Sequence, residues 1–298
     1  MNGDIIASHK DIVSLTGNSD NTMSVIEVED ARDLGVVEVR DGRVAHIYEK
    51  MEEPSSCMVN AGLYLFTPHI FDAIAKTSKS PRGEFEITDS LQLMIEQGYN
   101  IAYQEISYWL NLSYPWDLLS ANESLLAGTQ GQNLGEIEDN VVIKGPVSIG
   151  ENTVVRSGCY IVGPVIIGRD CDIGPNCYIR PSTSIGSGCR IGAAVEVKNS
   201  IIMRGTKIPH HNYVGDSVIG EGCNFGSGTK IANLRLEKKE ITVAGIATKR
   251  RKLGAIIGDG VETGINAGIN VGSVIGNNTV IGPGAIASGV ILPNSRIF

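Results

Sequence analysis

Aromatic residues make up only 5% of this 298-residue chain, with five Phe and two Trp, so its core cannot rest on large rings. No run of 18 apolar residues occurs, which excludes a membrane-spanning helix. No leader pattern is present at the N-terminus, and a cytoplasmic protein without a membrane partner is expected. Cations are scarce: 25 Lys and Arg against 33 Asp and Glu leave a net charge of −8. That balance argues against general nucleic-acid binding, so any site for an anionic ligand must be built locally. Among six cysteines there is no Cys-x-x-Cys, and a chain of this length needs no covalent staples.

What the chain has instead is 36 glycines and a repeat of period six. Ile137, Ile143, Ile149, Val155, Ile161, Ile167, Ile173, Ile179, Ile185, Ile191 and Val197 form an unbroken ladder. After a one-residue slip it resumes at Ile202, Ile208 and Val214, then slips again to Ile219, Phe225 and Ile231. A last block holds Ile257, Thr263, Ile269, Ile275 and Ile281. At about 3.6 residues per turn a helix would scatter these side chains around its circumference. A three-sided prism makes each step a short strand and a corner, with every aliphatic inward and three steps to a coil.

A small slot four residues after each aliphatic holds Cys159, Cys171, Cys177, Cys189 and Cys223. Cys159 and Cys177 are one coil apart, as are Cys171 and Cys189, so they stack about 4.8 Å apart. The spacing reads as a ladder of free thiols filling a tight interior, with a metal site or a disulfide framework as the alternatives.

The first part of the chain differs. Ser24–Val28, Leu34–Arg40, Arg43–Tyr48, Val59–Phe66 and Ile101–Ile106 read as strands, with Asp41-Gly42 as a hairpin turn. His69–Lys76 and Ile87–Gln97 have helical spacing, with Thr88 or Asp89 as the cap of the second, and Pro115–Ala127 reads as an amphipathic helix. The stretch GTQGQNLG (128–135) reads as a flexible joint. The division is therefore a domain over 1–114, a helical linker over 115–135 and the prism over 136–298.

Several motifs of the first part, Asn2-Gly3-Asp4, Glu49-Lys50, Val59-Asn60-Ala61-Gly62, Gly83-Glu84-Phe85-Glu86-Ile87-Thr88-Asp89 and Trp109-Leu110-Asn111, resemble the C-terminal part of sugar-1-phosphate nucleotidylyltransferases. Together with the hexapeptide repeat, nearly the whole chain resembles the archaeal type of bifunctional enzyme of the UDP-N-acetylglucosamine pathway. The resemblance implies an α/β then β fold: the C-terminal remnant of a Rossmann-like nucleotidylyltransferase domain, then a left-handed parallel β-helix. It implies that Asp4 and Asn111 hold Mg²⁺, which suits hard oxygen ligands. It further implies that Gly35, Glu49, Asn60 and Thr88 bind the sugar phosphate. Taken alone, Gly35 reads equally as a loop glycine and Glu49-Lys50 as a solvated pair. The family's G-x-G-T-R-x-x-P phosphate loop has no counterpart in this sequence. The expectation is therefore an N-terminally truncated nucleotidylyltransferase with exposed apolar edges, weak stability and no uridylyl transfer of its own.

In the prism, Arg180 and Lys198 each follow a ladder aliphatic and lie one coil apart, pointing outward. Stacked like charges repel, and a bound anion reverses that sign; the alternative is two solvated surface cations. His210 is read as breaking the rhythm at one of the two slips. The segments Val195–Ser200, Pro209–Ser217, Asn224–Thr229 and Asn233 resemble the acetyltransferase half of the same family. By that resemblance His210 is the general base, a role suited to histidine near neutral pH. Arg180 and Lys198 bind the phosphate, while Tyr213 and Asn224 contact the sugar. Asn233 lies near the acyl group, Ser227 binds acetyl-CoA, and Lys252 closes over the site. The implied partners are an amino-sugar phosphate and acetyl-CoA, and the implied assembly is a homotrimer. One isolated prism is expected to offer Asn233 and the basic 232–256 insertion no facing wall. The main reading is an acetyltransferase acting on glucosamine- or galactosamine-1-phosphate. The alternatives are a full bifunctional uridylyltransferase/acetyltransferase and a non-catalytic regulatory subunit.

Overall fold

The computed structural model describes residues 1–32, 34–49, 53 and 56–298. Lys50, read beside Glu49 in the sequence, lies outside the described residues. The chain divides into two compact units, Met1–Ser113 and Tyr114–Phe298.

The first unit runs β1 (Ile5–Ala7), α1 (His9–Thr16), β2 (Thr22–Glu27), β3 (Gly35–Arg40), β4 (Arg43–Glu49), β5 (Met58–Leu65), α2 (His69–Lys76), α3 (Ile87–Glu96), β6 (Ala102–Glu105) and β7 (Trp109–Asn111). Its main sheet has the order β4-β3-β5-β2-β6, mixed because β6 joins β2 in parallel while β2 and β5 are antiparallel. Asp41 and Gly42 take φ of 48° and 75°, the double left-handed conformation of a tight hairpin turn. Met23 and Val25 of β2 and Val37 of β3 bury against Leu91 and Met94 of α3, each fully buried side chain contributing about 1.5–3 kcal/mol. Helices α2 and α3 close a continuous apolar cluster over the sheet, so the unit has a packed core, while Val13, Phe71, Ile74 and Phe85 stay exposed. Helix α3 begins at Ile87 with Glu86 at its cap position, so Thr88 and Asp89 fall inside the first turn and neither caps it.

In the second unit, α4 (Asp117–Ala127) precedes a parallel β-solenoid of three sheets with nine, nine and eight strands. Their first strands are Gln132–Asn133, Glu136–Ile137 and Val142–Lys144, which begin the first, second and third faces. Successive coils stack in register, as in Val142↔Tyr160↔Tyr178. The stretch 128–135 is not wholly a joint: Gln132–Asn133 already pairs with Ser148–Ile149 as the first rung, because its backbone groups find a ready sheet edge. The ladder aliphatics from Ile149 onward are buried inside the prism. The five slot cysteines are buried and all six cysteines are free, so no disulfide framework exists. Burial pushes the Cys171 and Cys223 thiols up and that of Cys189 to about 11, which keeps them protonated and unreactive. Among the described residues no helix is long and apolar enough to cross a membrane.

Candidate functional site

Both register slips of the ladder fall at the corner between the third and first faces, not at His210. The chain saves one residue between Val197 and Ile202 and again between Val214 and Ile219, and the shortened corners are turned by Asn199 and Asp216 at φ of 45° and 51°. These two corners stack and build a polar cluster. Lys198 Nζ donates to both carboxylate oxygens of Asp216, at 2.8 and 2.9 Å. Asn199 Nδ2 donates to Asp216 Oδ1 at 2.9 Å. Asn233 Nδ2 donates to Asp216 Oδ2 and, at 3.0 Å, to the Tyr213 hydroxyl. Burial, then the charge of Asp216, holds the Tyr213 phenol above its ordinary pKa, so it stays protonated as a donor.

Arg180 lies on the same face one rung earlier. Its guanidinium donates to Glu196 at 2.8 Å and sits over the Tyr178 ring at 5.5 Å. The two stacked cations are thus not left to repel each other: each has its own carboxylate, Glu196 for Arg180 and Asp216 for Lys198. His210 ends a strand of the second face (Lys207–His210), with an exposed side chain at the next corner. Its carbonyl accepts from Gly228 N at 3.1 Å, which stacks the Ser227 corner on it. Asn224 is exposed on the second face, in register with Lys207 and Glu262, and among the described residues no hydrogen bond joins it to the Asp216 cluster.

Lys252 lines a cleft of about 860 Å³ together with Asn199 and Asp216. The insertion that carries it does have a facing wall. Ile241, Val243 and Leu253 are buried against Trp116, Leu119 and Val218, so α4 and the first face supply the surface that a neighbouring subunit was expected to provide. Beside Tyr213 a second hollow, of about 370 Å³ and mostly apolar, is bordered by Ile231, Gly268 and Ile286.

The first unit has its own convergence. Ile5 pairs with Asn111 and Leu112 N donates to Asp4 O at 2.8 Å, so Asp4 and Asn111 stand at one end of the β1–β7 ribbon. Asn111 Nδ2 is committed to Ser113 at 2.9 Å, which leaves its amide oxygen for a cation. Gly35 pairs with Glu49, and a Cβ on Gly35 would stand 3.3 Å from Glu49 Oε1 and 3.6 Å from Asn60 Cβ. Asn60 Nδ2 donates to the Tyr64 hydroxyl at 2.7 Å, and burial, aided by the charges of Glu49 and Asp4, pushes that phenol up to about 12. Gly35, Glu49 and Asn60 are thereby brought together, with Asp4 close enough to act on Tyr64. Thr88 is separate: it is buried in α3, and its hydroxyl has no hydrogen-bond partner.

The sequence reading named Asp216 in a motif but gave it no role, although the slip after Val197 shortens that coil to seventeen residues and so sets Asp216 over Asn199, next to Lys198. It also missed Glu196, Asn199 and Arg82. Arg82 lies 3.6 Å from Glu49 and 2.5 Å from Glu86, and its Arg-Gly-Glu context was the available signal.

Residues 2–128 match the family model described as nucleotidyl transferase, and residues 161–266 match that described as GMPPB C-terminal domain. The chain is 44% identical over 293 residues to the bifunctional sugar-1-phosphate nucleotidylyltransferase/acetyltransferase of Sulfurisphaera tokodaii, covering 96% of this chain and 73% of that protein. It is 41% identical over 303 residues to the bifunctional protein GlmU of Methanocaldococcus jannaschii, covering 100% and 74%. To the bifunctional protein GlmU of Methanococcus maripaludis strain C7 it is 44% identical over 304 residues, covering 100% and 74%. Against the expectation of a remnant, residues 2–128 match a nucleotidyl transferase domain, and the first unit has its own packed core. By sequence along its whole length and by its nucleotidyltransferase-plus-solenoid architecture, the chain belongs to the family of bifunctional sugar-1-phosphate nucleotidylyltransferase/acetyltransferases.

Proposed function

We propose that this chain serves both transfers of its family, on the route to UDP-N-acetylglucosamine. The solenoid acetylates an amino-sugar-1-phosphate from acetyl-CoA, and the first unit acts on the resulting N-acetyl sugar phosphate in nucleotidyl transfer. The observation that carries the first half is the Lys198–Asp216–Asn233–Tyr213 network beside Arg180.

In the acetyl transfer, the sugar phosphate sits against Arg180 and Lys198, whose guanidinium and ammonium groups offset its charge. His210 takes a proton from the substrate ammonium. The freed nitrogen forms a bond to the thioester carbonyl carbon and gives up its second proton, the carbon–sulfur bond breaks, and that proton goes to the departing thiolate to give the thiol. Tyr213, held protonated and oriented by Asn233, donates to the sugar. Both contacts of Asn233 Nδ2 are already made, so Asn233 acts here by orienting Tyr213; donating to the acyl oxyanion requires one of those bonds to exchange. The apolar hollow beside Tyr213 suits the acyl arm, and Ser227 is assigned to the coenzyme and Lys252 to closing over the site.

In the first unit, Asp4 and Asn111 offer one carboxylate and one free amide oxygen, a donor set that fits Mg²⁺ when phosphates complete the shell. Bound there, the ion would offset phosphate charge. Gly35, Glu49 and Asn60 hold the sugar, with Arg82 pairing Glu49, while Thr88 supports the site through α3. We further propose a homotrimer, which sedimentation of an active monomer would refute.

Two assays on the full chain test the function. Coenzyme A thiol release with glucosamine-1-phosphate and galactosamine-1-phosphate tests acetylation and ranks the sugars. Mg²⁺-dependent pyrophosphate release from UTP and N-acetylglucosamine-1-phosphate tests nucleotidyl transfer. Neither product appearing would leave a regulatory subunit as the better reading.

A further inference from the structure

The outward row of the third face has one gap. Tyr178, Glu196, Tyr213, Lys230, Gly268 and Ile286 follow one another in register on successive coils, and only Gly268 brings no side chain. The fold does not ask for glycine there. Gly268 does not take the left-handed conformation of the corner glycines. A Cβ on it would stand 3.4 Å from Ile286 Cγ1, in a side chain that is 73% exposed and free to turn. Glycine inside a strand ordinarily weakens it, and it marks places where another group comes close to the backbone.

The gap opens the hollow of about 370 Å³ beside Tyr213, walled by Ile231, Ala232, Ile269 and Ile286. That volume lies within the range of small-molecule pockets, about 300–1,000 Å³, and leaves room beyond the two carbons of an acetyl group. The polar groups at its edge are already engaged. Lys230 Nζ donates to the His211 carbonyl, which holds the ammonium at the corner and leaves the methylene stem as wall. Asn270 Nδ2 donates to Ser288 at 3.2 Å, and its Oδ1 accepts from Val271 N at 2.9 Å. The Tyr213 hydroxyl accepts from Asn233 at 3.0 Å, and Asn233 directly follows Ala232 of the wall, so the hollow adjoins the end of the site assigned to the acyl group. Apolar walls without a free charge suit a hydrocarbon chain and disfavour a carboxylate.

We propose that this hollow is an acyl-chain pocket whose depth is set by Gly268, so that the second unit transfers straight three- and four-carbon acyl groups from coenzyme A thioesters as well as acetyl. The proposal rests on the acetyl-transfer reading above. The step is the same: the amino nitrogen bonds to the thioester carbonyl carbon and the carbon–sulfur bond breaks. One ammonium proton goes to His210 and the other to the departing thiolate. Each methylene added to the acyl chain moves from water to the apolar wall, which should tighten binding about fourfold.

Two measurements on the full chain test this. Calorimetry gives the dissociation constants of acetyl-, propionyl-, butyryl- and succinyl-coenzyme A, and thiol release with glucosamine-1-phosphate gives kcat/KM for each. In the wild type, affinity should rise from acetyl to butyryl, and succinyl-coenzyme A should bind at least tenfold more weakly than butyryl-coenzyme A. Gly268→Val puts a strand-favouring side chain into the gap. It should keep the wild-type unfolding temperature and cut the butyryl-to-acetyl ratio of affinity and of kcat/KM at least tenfold. If that variant does not fold, Ile286→Ala at the exposed rim should still lower the ratio severalfold. Affinity that does not rise with chain length, or a ratio unchanged in both variants, overturns the proposal. Turnover of acetyl-coenzyme A alone sinks the pocket and spares the acetyl-transfer reading. Chain-length-dependent binding with no turnover of any thioester supports the pocket and sinks that reading instead.

Discussion

Lys198 and Asp216 face each other across two shortened corners of the solenoid, 2.8 Å apart, with side-chain exposures of 19% and 3%. The slip after Val197 shortens this coil to seventeen residues, so Lys198 registers with Gly215 and the next residue, Asp216, meets its ammonium. Because the carboxylate is buried, Asp216→Asn strands a half-buried ammonium. Breaking a fully buried pair costs about 3–5 kcal/mol, and the partial exposure of Lys198 brings the expected loss to about 1–3 kcal/mol. Urea unfolding of the single variants and of Lys198→Met/Asp216→Asn checks this. The double variant should recover much of the loss, and strict additivity would show that the pair is not coupled.

Gly192 underlies the His210 corner. A Cβ at this position would fall 1.7 Å from the carbonyl oxygen of Pro209, a backbone atom that cannot move aside by a rotamer change. Gly192→Ala should therefore destabilise the solenoid by about 2 kcal/mol or more and displace the strand end that carries His210. A thermal midpoint equal to that of the wild type would contradict it.

Acid stability of the first unit should depend on Asp11. Burial opposes its charge, but hydrogen bonds from Ser8, Ser107 and the Tyr108 backbone outweigh that and hold the carboxyl below the ordinary carboxylate range. A lowered folded pKa stabilises the native state above the unfolded value of about 3.9, and the contribution disappears as pH falls through the lower folded value. Urea midpoints of the wild type should fall more steeply than those of Asp11→Asn below about pH 4. Parallel profiles would contradict this.

The prism was legible because one physical constraint, an inward aliphatic every six residues, is written along the ladder from Ile137 to Ile281. The slips were legible too, but their consequence was not. Counting places them after Val197 and Val214, yet only the stacked corners show that Asn199 and Asp216 meet there. Helix α1 was missed because only Asp11 and Leu15 of its eight residues are buried, leaving almost no apolar stripe. The available signal was Ser8 followed three residues later by Asp11, which cap the helix at 3.0 Å. The folded insertion was hidden by its charge, since Ile241, Val243 and Leu253 are spaced irregularly among Lys, Glu and Arg and follow neither helical nor strand period.

The two phosphate cations and the two adjacent histidines should separate binding from chemistry. Arg180→Ala and Lys198→Ala should act mainly on the KM for the sugar phosphate, because the phosphate is charged in both ground and transition states. His210→Ala should lower kcat by about 10²–10⁴-fold with little change in KM, the range of a general base. His211 provides the internal control. It turns the corner in the left-handed region at φ 51°, a conformation that costs a non-glycine residue. His211→Gly should therefore leave activity near the wild-type level and, if anything, relieve strain. Steady-state acetyl transfer by the four variants decides the matter. If His211→Gly abolishes turnover while His210→Ala retains it, the base is the neighbouring ring, and the roles given to Tyr213, Asn224 and Asn233 fall with it.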